Sequence, residues 1–117
     1  MNEKLIARYR EWAKIHGEGT VSGDFKSANK AYKKLTAILE QLSSECCDEE
    51  LFRLYLDDDP WVQNWAAVHT LEIDEQRASR KLQELVDAKI PLLSSGARYT
   101  LAGWRAGELQ FRRGDDC

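Results

Sequence analysis

A chain of 117 residues with 43% hydrophobic and 32% charged side chains is too apolar to stay disordered, and its length suits one domain with a radius near ~13 Å. Its net charge of −3 is unevenly spread: residues 1–44 carry eight basic and five acidic groups, residues 45–87 carry four basic and twelve acidic, and residues 88–117 carry five basic and three acidic. That acidic middle is the reverse of the basic stripe expected of a duplex-DNA binder, and no apolar run approaches the ~20 residues of a membrane span, so neither nucleic acid nor membrane is expected as a partner.

The first pattern runs from Asn2 to about His16. Leu5, Tyr9, Trp12 and His16 form its apolar stripe, Ile6 and Ala13 widen it, and Asn2 is the expected N-cap. Gly17 and Gly19 are expected to break or end this helix. The second helix, capped by Ser22 or Asp24 and closed by Ser43–Ser44, has the clearest period. Phe25, Ala28, Tyr32, Leu35, Ile38/Leu39 and Leu42 lie on one stripe, and Lys26, Lys30, Lys33 and Lys34 lie off it.

Asp48 is read as the start of a short third helix, with Glu49 and Glu50 in its first turn and an apolar body from Leu51 to Leu56. Asp57, Asp58 and Asp59 then run into Pro60. Proline at the first helical position behind an aspartate starts a fourth helix. Val62, Ala66 and His69 form one stripe of it, and Trp61, Trp65 and Val68 a second. A fifth helix starts at Asp74, buries Ala78, Leu82, Leu85 and Val86, and ends before Pro91. A sixth follows Ser94/Ser95, turns Ala97, Leu101 and Trp104 inward, and stops at Gly107. Glu108–Arg113 is an extended segment and Gly114–Cys117 a frayed tail in this reading, leaving residues 1–113 as one helical domain.

The chemistry of the acidic triplet argues against catalysis or metal binding. Carboxylates that divide acid and base work need environments that push their pKa values apart, and three neighbours on one turn share theirs. A calcium loop needs spaced oxygens and a turn glycine, which "DDDP" lacks. Asp57–Asp59 are therefore a turn and helix cap. His16 and His69 sit on inner stripes as packing residues, and a serine nucleophile has no Gly-x-Ser-x-Gly elbow. "GEGTVSG" has the wrong spacing for a dinucleotide loop and follows a helix where a strand is needed. Cys46 and Cys47 are adjacent and flanked by acids, and Cys117 stands apart. Reduced, inert thiols and a cytoplasmic setting follow, with no zinc ligand set. A charged start, MNEKLIARYREW, is unlike a signal peptide. No cofactor and no enzymatic activity is expected.

Paired helices three–four and five–six suggest an all-α stack of hairpins. "LFRLYLDDDPWVQNWAAVHTLEID" resembles one HEAT-type repeat: Leu51/Leu54, Asp59-Pro60, Val62, Ala66-Ala67 and Leu71 occupy that pattern. Where HEAT repeats commonly place an arginine that braces the acidic turn, this chain has Gln63. Either the acids go without an internal brace, or another base such as Arg53 supplies it. In its order of segments, through "SGDFKSANKAYKKLTAI", "RASRKLQELVDAK" and "SSGARYTLAGWRAGELQF", the whole chain is similar to a family of small bacterial HEAT-like proteins known as a domain of unknown function. Such proteins resemble immunity partners of toxins.

That resemblance implies a compact HEAT-like fold of about six helices and a protein-binding role. The partner would be a cognate toxin or effector with a basic surface. Asp57, Asp58, Asp59, Trp61 and Asn64, helped by Glu49 and Glu50, are the expected contact residues. Trp61, next to three carboxylates, is either a binding anchor or a cap packed over the hairpin. A generic adaptor or assembly protein is the first alternative, and a HEAT-like enzyme acting on nucleic acid the second.

Overall fold

The computed structural model describes residues 3–44 and 48–108, and these contain six α-helices and one 3-10 turn with no strand among the described residues. The elements are α1 (Glu3–Ser22), α2 (Phe25–Ser44), α3 (Asp48–Arg53), the 3-10 turn Leu54–Leu56, α4 (Pro60–His69), α5 (Glu75–Asp87) and α6 (Leu93–Arg105). They divide into two compact units, one whose described part ends at Glu50 and one that begins at Leu51. The three cysteines and the expected tail at 114–117 lie outside the described residues.

In the first unit, α1 and α2 fold back on each other across Gly23 and Asp24. The expected end of α1 near His16 is wrong by about two turns, because α1 continues to Ser22. Gly17 and Gly19 are buried inside the helix. Gly19 serves close packing: a Cβ there would meet the Asp24 carbonyl oxygen at 2.9 Å and the Ala28 nitrogen at 3.0 Å. The turn comes instead at Gly23, whose φ of +82° suits glycine. Asp24 then caps α2, its two carboxylate oxygens accepting from the Ser27 N–H at 3.2 Å and the Ser27 hydroxyl at 2.8 Å. These bonds hold its carboxyl below the ordinary aspartate range.

Small residues at that contact also displace the aromatics expected in the α2 stripe. Ala28, Ala31, Leu35, Ile38, Leu39 and Leu42 are buried, whereas Phe25 is 68% and Tyr32 50% exposed. At about 100° per residue both aromatics fall at one edge of the buried arc, beside Leu39 and Ser43, so angle alone does not separate them from buried side chains. Trp12, expected in the core, is half-buried, with the Lys30 ammonium 5.9 Å from its ring centre.

The second unit has its core between α4, α5 and α6. Ala67, Val68, Leu71, Ala78, Leu82, Leu85, Leu93, Ala97 and Leu101 are its buried members. Tyr55, Trp61, Trp65, Val86, Ile90 and Trp104 cover it as half-buried side chains, so Trp104 and Val86 are less enclosed than their stripes imply. Asp74 caps α5 through the Arg77 N–H at 3.2 Å. Ser94, inside the first turn of α6, ties the α5–α6 connection: it donates to the Leu85 carbonyl at 2.6 Å and accepts from the Ile90 N–H at 2.7 Å. Lys89 and Leu92 take left-handed φ values of 54° and 67° to make this bend. Past α6, Gly107 at φ +76° sends its N–H to the Trp104 carbonyl, and the Glu108 N–H reaches the Gly103 carbonyl at 2.8 Å. That pair of bonds is a Schellman stop.

Candidate functional site

The acidic turn is built by backbone chemistry that the order Asp-Asp-Asp-Pro dictates. Pro60 has no N–H to lose at the first helical position. Behind it Asp59, in extended conformation, caps α4 by accepting from the Trp61 N–H at 2.8 Å. One step earlier, Asp57 Oδ1 accepts from the Asp59 N–H at 2.9 Å. Asp58 projects into solvent between them. Two of the three carboxylates therefore work locally, each satisfying an otherwise free N–H, while the third is exposed.

Gln63 supplies the brace. From the first turn of α4 its Nε2 donates to the Asp57 backbone carbonyl at 2.5 Å. Gln63 thus braces the main chain of the turn, which neither expectation for the acids, unbraced or braced by Arg53, included. A neutral amide closes the loop through the main chain where an arginine would do so through charge. Being neutral, it leaves the negative field of the triplet without an added positive group at position 63.

Leu56, just before the triplet, is 87% exposed. Trp61, just after it, is half-buried and packs against the core of the second unit. Of the two expectations for Trp61, binding anchor or cap packed over the hairpin, this packing matches the cap. Its position one residue after proline turns the ring along the second stripe of α4, over the core, so only part of it faces outward. Asn64 is half-buried as well, and its amide oxygen is buried without a hydrogen-bond partner among the described residues. The structure brings Asp57, Asp58, Asp59, Trp61 and Asn64 together on the turn and the first turns of α4. Glu49 and Glu50 belong to the other unit, in the first turn of α3, with Glu49 exposed and Glu50 half-buried.

Elsewhere the titratable groups are structural. His69 is buried and lies 5.3 Å from Trp65 ring to ring. Burial pushes its pKa down to about 3, so the imidazole is neutral near pH 7. Burial also lowers His16. The Tyr55 hydroxyl lies 2.5 Å from Thr70 Oγ1, which itself bonds the Ala66 carbonyl at 2.8 Å. Since that second bond uses the threonine proton, tyrosine is the donor of the first. Burial raises the pKa of Tyr55.

One arrangement escaped the sequence reading. The Arg77 guanidinium lies 3.8 Å from the Phe52 ring centre, and Phe52 meets Tyr55 edge to face at 5.6 Å. These pairs tie the segment before the acidic turn to α5. Only the aromatic content of "LFRLYL" hinted at them. Among the described residues, no three His, Cys, Asp or Glu side chains are grouped to hold a metal ion, and no helix is long and apolar enough to cross a membrane. No family model matches this chain, and no curated protein or solved structure matches it.

Proposed function

We propose that this protein is a binding module that docks a basic protein partner on the acidic turn before α4. Its most concrete form is a bacterial immunity protein that neutralises a cognate toxin from the cytoplasm, without catalysis and without a cofactor. One observation supports this above the rest: the triplet is preorganised. Asp57 and Asp59 are held by the Asp59 and Trp61 N–H groups, and Gln63 clamps the loop from behind. A rigid acidic turn loses little conformational entropy when a partner arrives, and its field speeds the encounter with a basic surface. Leu56 adds an exposed apolar contact next to the charges.

Co-expression with the product of the neighbouring gene tests the reading. The wild type should restore growth against a toxic neighbour and co-purify with it. Asp57→Lys with Asp58→Lys should slow association and flatten its salt dependence. Asp57 also shapes the turn, so Asp58→Lys with Leu56→Ala provides a second variant that spares every turn hydrogen bond. Full protection by that folded variant would place the interface elsewhere. Trp61→Ala is a poorer probe, because the ring also covers the core.

A further inference from the structure

A groove of about 310 Å³ lies along the contact of α5 and α6, away from the acidic turn in the chain and opposite to it in charge. Leu101 and Val86 provide its apolar floor. Arg98 and Arg105 stand on the α6 side, and Asp87 on the α5 side accepts from Gln83 Nε2 at 3.0 Å. Both arginines are exposed, and neither has a hydrogen-bond or ion-pair partner among the described residues. Seven residues of helix separate them by about 10.5 Å along one side of α6.

We infer that this groove binds an acidic peptide segment of a partner protein, in extended form, with two carboxylates four residues apart and an apolar side chain midway between them, all three on one face. The spacing comes from the backbone: side chains alternate faces along an extended chain, so only an even spacing turns both acids to the groove, and four residues cover about 13 Å, within reach of two long arginine side chains whose backbone positions are about 10.5 Å apart. Each guanidinium offers a planar fork that matches a carboxylate, which a lysine would not. An apolar side chain between the two acids would lie over Leu101 and Val86. Asp87 makes the choice of a peptide over other anions. A phosphodiester or simple dicarboxylate brings nothing to satisfy a carboxylate rim, whereas a peptide brings backbone N–H donors. The site is independent of the acidic turn and its basic partner, so either assignment can fail alone.

The test is a fluorescence-anisotropy titration of the full chain with a labelled acetyl-Glu-Ala-Leu-Ala-Glu-amide peptide at low ionic strength. Saturable binding is expected. It should weaken by about tenfold or more in Arg98→Ala/Arg105→Ala, and to a similar extent when both glutamates of the probe become glutamine. Arg98→Lys/Arg105→Lys keeps the charge but loses the forks, and should fall between. Circular dichroism checks that these surface variants stay folded. An unlabelled aliphatic dicarboxylate of the same span should compete poorly. Equal competition by it would overturn the peptide assignment in favour of a small-molecule carboxylate site. Absence of binding at millimolar probe, or binding unaltered by Arg98→Ala/Arg105→Ala, would overturn the groove altogether.

Discussion

Gly19 and Asp24 approach so closely that a single added carbon at position 19 would lie 2.9 Å from the Asp24 carbonyl oxygen. Gly19→Ala should therefore destabilise the protein. Alanine gains about 1 kcal/mol of helix propensity, but the clash is with backbone at the hairpin turn, and overpacking of this kind costs about 1–3 kcal/mol. Gly96→Ala is the control. Nothing lies within 4 Å of a Cβ there, and no positive φ is required, so it should stabilise by about 0.5–1 kcal/mol. Urea unfolding of the two variants should move the midpoint in opposite directions, and parallel shifts would contradict the packing at Gly19.

The acidic turn makes a graded prediction. Asp59→Ala removes the α4 cap and should cost about 0.5–2 kcal/mol. Asp57→Ala leaves the Asp59 N–H without its acceptor and should cost about 1 kcal/mol. Asp58→Ala should be silent. Thermal unfolding ranks the three, and a silent Asp57→Ala would show that solvent replaces its bond without loss.

Strain at the α5–α6 bend is open to relief. Lys89 has φ 54° and is exposed, so its side chain contributes little packing that glycine would forfeit. A left-handed conformation costs a non-glycine residue about 1–2 kcal/mol, offset in part by the greater freedom glycine gives the unfolded chain. Lys89→Gly should raise the unfolding midpoint by an amount corresponding to about 0.5–1 kcal/mol. A drop would mean that the lysine side chain makes a contact worth more than the strain.

Buried histidine gives the protein an acid limit. His69 has a pKa of about 3 in the fold against 6.5 for the unperturbed group. Below pH 6.5 the unfolded chain takes up a proton that the folded chain refuses. Stability is thus fully present above pH 6.5 and declines as pH falls toward 3, with a slope of up to about 1.4 kcal/mol per unit from this one group. His16, lowered in the same direction, adds a smaller slope. His69→Leu should flatten the stability–pH curve between pH 6 and 4 whatever it does to absolute stability. An unchanged slope would assign the acid sensitivity to other groups.

Much of this was legible in the sequence, and the misses share a cause. The Asp59-Pro60 start, the Asp74 cap, the Gly107 stop and the stripes of α5 and α6 all rest on local backbone rules, which act within one turn of helix. The end of α1 is not legible because a glycine reads the same whether it ends a helix or lets a neighbouring helix come close. Phe25 and Tyr32 fall to the core in a sequence reading because a stripe is read by angle alone. How wide the buried arc is depends on the partner helix, and small residues at the contact narrow it. At the candidate site, the caps could be read from residue type, but the Gln63 clamp could not. Nothing in a single glutamine announces that it reaches back six residues to a carbonyl, and the arginine of the HEAT pattern directed attention to charge.

That uncharged clamp has an experimental consequence. Added electrolyte weakens attraction between ions but barely touches an amide-to-carbonyl bond. The loop should hold its shape from dilute buffer to concentrated salt while the pull it exerts on a basic surface fades. Ionic strength then becomes a dial for the field alone, and a plot of log association rate against salt will report how many charges are engaged without a conformational change folded into its slope.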